Sequence, residues 1–127
     1  MLADRLVIAA EVAGALADRR PVVALESTLI SHGLPYPANL EVAQASEAAV
    51  RASGAVPATV AIHAGRILVG LREQDLLALA TAPAGSVRKA ARPSLGPALL
   101  SPDWAATTTL WPILRCPAMP TWPARVT

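Results

Sequence analysis

Residues 22–33 read VVALESTLISHG, an apolar run that ends in a carboxylate, three hydroxyls, a histidine and a glycine. The continuous apolar run Val22–Leu25 is typical of a strand that is buried on both of its faces. A charge such as Glu26 at the end of such a strand is costly unless the carboxylate is needed there. This stretch therefore predicts a sheet strand that presents a carboxylate at its carboxyl end.

Helical and strand patterns alternate on both sides of this run, which predicts an α/β fold with ligands at the carboxyl ends of strands. The predicted elements, in chain order, are a helix over 3–19, the strand 22–25, a helix from Asn39 as its N-cap to Ser53 with Gly54 as its left-handed stop, strands over 58–64 and 67–69 that form a hairpin, and a helix over 73–81.

The composition limits the class of protein. At 127 residues the chain is expected to form one domain, and with 54% hydrophobic but 3% aromatic residues its core must consist of Ala, Val, Leu and Ile. A net charge of +2 favours neither nucleic acid nor a membrane as partner. The single cysteine, Cys116, fits the cytoplasm, and charges among residues 4–18 interrupt any signal peptide or membrane span.

The chain divides into two parts of different composition. Residues 1–92 hold eight of the nine acidic residues and five of the twelve prolines, whereas residues 93–127 hold seven prolines and all three tryptophans. We therefore expect an α/β domain over 1–92 and an irregular, poorly ordered tail rich in Pro and Trp over 93–127.

Glu26 is the first candidate for chemistry, and its spacing leaves two interpretations open. It either caps the following turn or pairs with an arginine, or it acts as a general acid or base at a strand end. The nearby hydroxyls of Ser27, Thr28 and Ser31 either bind a polar ligand or satisfy the backbone of the turn.

The other candidates are two histidines and the only lysine of the chain. His32 has no second ligand at suitable spacing, so no metal site is predicted, and His63 is expected to be partly buried within a strand. Lys89, between Arg88 and Arg92, belongs either to a solvated basic turn or to an anion site that suits phosphate.

Two separated blocks, VVALESTLISHGLPYP at 22–37 and GAVPATVAIHAGRILVGL at 54–71, closely resemble the N-terminal portion of pseudouridine-5′-phosphate glycosidases. The resemblance covers about residues 5–92. It implies the N-terminal part of an α/β/α fold, a homotrimer and Mn²⁺ as cofactor. The implied activity is reversible cleavage of the C–C glycosidic bond of pseudouridine 5′-phosphate to uracil and ribose 5-phosphate.

The resemblance also implies roles for individual residues. Glu26 matches the glutamate that acts as proton donor, and Lys89 resembles the substrate-binding lysine that opens a K-x-S-R-R-D-like run. Thr109 stands where a G-A-T-T-V run contacts the substrate. The family opens the ribose and forms a Schiff base with another lysine while an acid donates a proton.

The chain also departs from the family pattern. After Lys89, residues Ala91, Pro93 and Ser94 replace a serine, an arginine and an aspartate, and Arg92 alone keeps its place. The Schiff-base lysine and the metal-binding aspartate have no counterpart. We therefore expect a chain that is truncated or frameshifted after about residues 92–110 and is inactive alone; the alternative is a non-catalytic fragment or interaction partner of a full-length subunit.

Overall fold

A computed structural model describes residues 2–108 as a six-stranded mixed sheet with helices against it, which confirms the α/β class. The strands are β1 (Leu6–Ile8), β2 (Val22–Leu25), β3 (Val56–His63), β4 (Arg66–Val69), β5 (Arg88–Ala90) and β6 (Ala105–Thr107). The α-helices are α1 (Ala10–Ala17), α2 (Ala38–Ala52), α3 (Glu73–Ala80) and α4 (Leu95–Leu100). Short helical turns cover Leu2–Arg5, Leu29–Gly33 and Arg92–Ser94.

Strand β3 organises the sheet, whose order is β1-β4-β3-β6-β5, with β2 also paired to β3. Strand β2 runs parallel to residues 56–59 of β3, and β6 runs antiparallel to residues 61 and 62. The backbone N–H of Ser27 donates to the carbonyl of Thr107 at 3.2 Å, so the carboxyl ends of β2 and β6 meet. Strand β5 is parallel to β6 and therefore ends at the same place.

Each face of the sheet buries its own apolar cluster. On one face, α1 packs on the even-numbered residues of β3, including Val60 and Ile62. On the other face, Ile30 and α3 pack on Ala61 and Ala106. The alternation of β3 between the two clusters is what a strand covered on both faces requires.

The prediction of one helix over 3–19 is wrong in its first half. Residues Leu6–Ile8 form β1 in parallel register with Ile67–Val69, and only Ala10–Ala17 is helical. The apolar stripe of this segment is largely alanine, whereas pairing with β4 satisfies the backbone of three branched aliphatic residues. Tertiary pairing therefore overrides a weak helical pattern.

Other predicted elements are confirmed. The strand at 22–25 is present, although all four residues are half-buried rather than fully buried, because β2 pairs only with β3 within residues 2–108. The hairpin between β3 and β4 turns at Ala64 and Gly65, which both have positive φ angles of 50° and 71°. Two positive φ angles in a two-residue turn match the twist of an antiparallel pair.

Helix α2 begins differently from the prediction. Its N-cap position is Pro37, and Asn39 lies inside the first turn, where it is buried. Gly54 follows the helix with φ +89°, as predicted. The sheet also continues past residue 92, the predicted end of the α/β domain, because β6 lies at Ala105–Thr107. The rest of the expected tail, 109–127, lies outside the described residues.

None of the helices between residues 2 and 108 combines the length and the hydropathy that crossing a membrane requires.

Candidate active site

A buried hydroxyl pair joins the ends of β2 and β6. The hydroxyl of Ser27 donates to the carbonyl of Val60 at 2.6 Å and accepts from the backbone N–H of Thr107 at 3.0 Å. The hydroxyl of Thr107 donates to the same carbonyl at 2.7 Å. Ser27 and Thr107 are 0% and 1% exposed, so these bonds act where water cannot replace them. The pair fixes the backbone on which the preceding Glu26 stands.

Glu26 is exposed at the end of β2 and lines a cavity of about 120 Å³ between β2, β3, α2 and the turn at Leu29–Gly33. Its carboxylate makes no hydrogen bond or ion pair within residues 2–108, so neither a cap nor an arginine partner is found there. Thr59 forms another part of the cavity wall, and its hydroxyl donates to Glu47 Oε1 at 2.7 Å. The carboxylate of Glu26 therefore borders a small cavity and is open to a ligand.

Lys89 is exposed on β5, the edge strand, where it pairs with Ala106 of β6. The backbone beyond it is held by Ser94, whose hydroxyl accepts from the N–H of Ala91 at 3.0 Å. Arg92 is also exposed and follows directly in the chain. Lys89 and Arg92 thus lie exposed at a hydrogen-bonded turn that follows β5, which is compatible with either a solvated basic turn or an anion site.

The two main candidates, Glu26 and Lys89, lie at the end of the sheet where β2, β5 and β6 terminate. Lys89 lies one residue before Ala90, which pairs with Thr107, and Thr107 bonds to Ser27 next to Glu26. Within residues 2–108 no ion pair or hydrogen bond joins Glu26 to Lys89, and Lys89 does not line the cavity beside Glu26. Thr109, the third candidate, lies outside the described residues.

The remaining hydroxyls and histidines have diverse surroundings. Thr28 donates to the carbonyl of Thr107 at 2.9 Å and thus satisfies the backbone. The hydroxyl of Ser31 is buried without a partner among the described residues. His32 is exposed, whereas His63 is half-buried and stacks on Trp104 with ring centroids 4.1 Å apart.

The described residues do not form a metal site. No group of three or more His, Cys, Asp or Glu side chains converges between residues 2 and 108. Mn²⁺ prefers several oxygen or nitrogen ligands around one point, and Glu26 alone does not supply that set. We therefore assign no chemical step of this chain to a metal.

The shifted pKa values belong to ion pairs away from Glu26. A bidentate hydrogen bond from Arg51 lowers the pKa of Glu11, which joins α2 to α1. A bond of 2.7 Å from Arg72 similarly lowers the pKa of Asp75 at the start of α3. Both pairs connect or cap helices, and Glu11, Arg51 and Arg72 line a cavity of about 420 Å³ between α1, α2 and α3.

The Arg72–Asp75 pair predicts a pH dependence of stability. The pKa of Asp75 is lower in the folded than in the unfolded chain, so its ionised form stabilises the fold. This stabilisation is fully present above the unfolded-state pKa and is lost as the pH falls through the folded-state pKa. We expect Asp75→Asn to lower the melting temperature slightly at pH 7. Below the folded pKa the variant and the parent should melt together, and a difference that persists there would contradict this origin.

Several residues that hold the strand ends and turns around the candidate site were not predicted from the sequence. Asn39 was predicted as a cap, but its amide donates at 2.8 Å to each of the carbonyls of Ile30 and Ala80. The hydrogen-bonding roles of Thr107 and Ser94 could not be predicted from the sequence. The partners of Thr107 lie far away in the chain, and those of Ser94 lie across a short turn. A buried asparagine inside a helical first turn is detectable only once the neighbouring elements are placed.

The chain is therefore a mixed α/β protein with polar side chains at its strand ends, an arrangement common among metabolic enzymes. The sequence model of a family described as "Indigoidine synthase A like protein" matches residues 11–114, and the chain belongs to this family.

The curated relatives confirm the resemblance to pseudouridine-5′-phosphate glycosidases. The one from Paracoccus denitrificans is 55% identical over 103 residues, which are 81% of this chain and 34% of that protein. The one from Rhodospirillum centenum is 70% identical over 77 residues, 61% of this chain and 24% of that protein. The chain thus spans about a third or less of these relatives' length.

Two solved structures have the same fold. Prealnumycin C-glycosynthase, crystallised with ribulose 5-phosphate, is 42% identical with a TM-score of 0.69, over 81% of this chain and 32% of that one. An indigoidine synthase A-like protein from Thermotoga maritima is 28% identical with a TM-score of 0.66, over 75% of this chain and 32% of that one.

Proposed function

We propose that this chain forms the acid-bearing N-terminal portion of a glycosidase that cleaves the carbon–carbon bond of pseudouridine 5′-phosphate. The observation that carries the proposal is the meeting of three strand ends at the Ser27–Thr107 pair, with Glu26 and Lys89 on either side. The names of the curated relatives supply the substrate.

Glu26 is the proton donor of the proposed reaction. A carbon–carbon glycosidic bond has no heteroatom leaving group, so the ribose ring must first open. The protonated carboxyl of Glu26 gives its proton to the ring oxygen as the bond between that oxygen and the anomeric carbon breaks. Its exposure and its lack of a partner within residues 2–108 leave it available for this transfer.

Lys89 binds the phosphate end of the substrate. An ammonium on an exposed strand edge is a mobile point charge that suits a phosphate, and Arg92 adds a guanidinium nearby. Thr109 is proposed as a further substrate contact.

The later steps need groups that these residues do not provide. The amine of a lysine adds to the anomeric carbon of the opened sugar; the bond to uracil then breaks with its electron pair going to the uracil carbon, which takes up a proton, and the ribose 5-phosphate left as a Schiff base is released by water. Lys89 is the only lysine in the chain and is assigned to binding. We therefore infer that the nucleophile, together with the Mn²⁺ ligands, comes from another portion of polypeptide, in a cytoplasmic homotrimer.

The role of Lys89 is tested by titrating the 127-residue chain with ribose 5-phosphate in a calorimeter. Lys89→Ala is expected to weaken binding by about tenfold or more, since charge-assisted bonds to phosphate are among the stronger ones. Arg66→Ala, which removes an exposed charge from β4, is the matched control and should leave the affinity unchanged. Equal losses in both variants, or no binding by the parent chain, would refute the assignment.

A second candidate function is a non-catalytic subunit that docks on a full-length copy, and it is favoured by the 127 residues holding no lysine besides Lys89. With Mn²⁺, uracil and ribose 5-phosphate, the purified 127-residue chain is expected to form no pseudouridine 5′-phosphate. Product formation above a no-protein blank would contradict this expectation and would place the nucleophile within these residues.

A further inference from the structure

A second cavity lies on the other side of Ile30 from Glu26. Its volume is about 320 Å³, at the lower end of the range for small-molecule sites. One wall is the turn that contains Ser31 and His32, with Tyr36 beyond it, and the other is the segment 79–87 that connects α3 to β5. The cavity shares only Ile30 with the one beside Glu26.

The walls of this cavity are fixed by a buried side chain. Asn39, 4% exposed, donates from Nδ2 to the carbonyl of Ile30 in one wall and to that of Ala80 in the other, both at 2.8 Å. A buried amide with both donors used is strongly held, because breaking either bond leaves a polar group unpaired. The space between the walls is therefore preorganised and not a gap between loose loops.

Ser31 contributes an unused hydrogen-bonding group to the same wall. Its hydroxyl is enclosed, and no described residue pairs with it. A buried polar group without a partner is uncommon and costs free energy, so it calls for a functional explanation. No hydrogen bond holds its rotamer, and rotation about χ1 can offer the hydroxyl to a molecule in the cavity.

The lining residues define the chemistry of that molecule. Among residues 2–108, no Asp, Glu, Lys or Arg side chain lines the cavity, so none of these charged groups compensates a ligand charge there. Tyr36 at the rim keeps 54% of its surface exposed, and His32 is exposed beside it, so two flat rings are available to stack. We propose that this cavity binds a small, uncharged, planar heterocycle, with the Ser31 hydroxyl as its hydrogen-bonding partner.

The probe for this site is uracil, a planar neutral ring with both N–H donors and carbonyl acceptors. In a ¹⁵N-resolved NMR titration of the full 127-residue chain, uracil should bind saturably with a Kd of about 1 mM or below, given its size. Shifts should centre on residues 30–36 and 80–87.

Two variants separate binding from folding. Ser31→Ala should weaken uracil binding at least fivefold and leave the melting temperature unchanged or higher, because it deletes a hydroxyl that bonds to no residue between 2 and 108. Tyr36→Ala should also weaken binding. Ser86→Ala is the matched control, since that hydroxyl bonds to the carbonyl of Pro83 and does not line the cavity; its affinity should equal the parent's.

This inference does not depend on the proposed function. Absence of saturable binding, or an affinity that Ser31→Ala leaves unchanged, would overturn it. Loss of uracil binding in Lys89→Ala would also overturn it, because the probe would then sit at the strand ends. Failure of ribose 5-phosphate to bind, with uracil still bound at this cavity, would count against the proposed function alone.

Discussion

Glu26→Gln is expected to lower kcat by about 10²–10⁴-fold, the usual contribution of a positioned general acid, with little change in KM. The assay uses a chimera that joins residues 1–108 of this chain to the part of the Paracoccus denitrificans relative that follows the matched segment. Glutamine keeps the size and polarity of the side chain but cannot donate an acidic proton. Uracil formation from pseudouridine 5′-phosphate reports the rate.

The control for this experiment is Glu41→Gln, a glutamate that is exposed in the first turn of α2. This variant should retain the parent kcat, which separates loss of the acid from loss of negative charge. Circular dichroism should show the same melting curve for all three chimeras, because the carboxylate of Glu26 makes no bond within residues 2–108. A Glu26→Gln chimera that keeps more than a third of the parent kcat would exclude the proton-donor role.

The sequence predicts those elements whose signal is local. Val22–Leu25 is apolar throughout, and the hairpin was recognisable from its two β-branched runs, although the turn was predicted at Gly65–Arg66 and lies one residue earlier, at Ala64–Gly65. Strands β5 and β6 have three residues each and read RKA and AAT, which no periodicity distinguishes from a loop. They are strands only because each completes the other's backbone hydrogen bonds at the edge of β3.

The candidate residues come from the sequence, whereas their placement relative to one another comes from the sheet. Glu26 was a candidate because a charge after a buried strand is costly, and Lys89 because it lies between two arginines; the resemblance added a role for each. Their placement at the same end of the sheet arises because β2 and β6 pair with successive parts of β3 and run in opposite directions, so that their carboxyl ends meet. The distance between residues along the sequence does not reveal this arrangement. The pairing of Ser27 with Thr107, 80 residues later, has the same long-range origin.

That pairing makes Ser27 the position where a small change should cost most stability. Ser27→Ala is expected to lower the free energy of unfolding of the 127-residue chain by about 2–4 kcal/mol. The substitution deletes two hydrogen bonds and leaves the backbone N–H of Thr107 buried without an acceptor. The carbonyl of Val60 stays paired, because the hydroxyl of Thr107 still donates to it.

Removing the Ser27 hydroxyl should therefore lower the free energy of unfolding more than removing the Thr107 hydroxyl. This difference distinguishes a cost in hydrogen bonding from a cost in packing. Thr107→Val keeps the shape of the side chain and leaves Val60 bonded to Ser27, so it should cost only about 1 kcal/mol. Ser53→Ala, at the exposed end of α2, is the baseline and should change stability by less than about 0.5 kcal/mol. Urea denaturation of the three variants measures the order. Equal losses at Ser27 and Thr107 would mean that the orphaned N–H is satisfied by another group, and the pair would then not be what fixes the backbone beside Glu26.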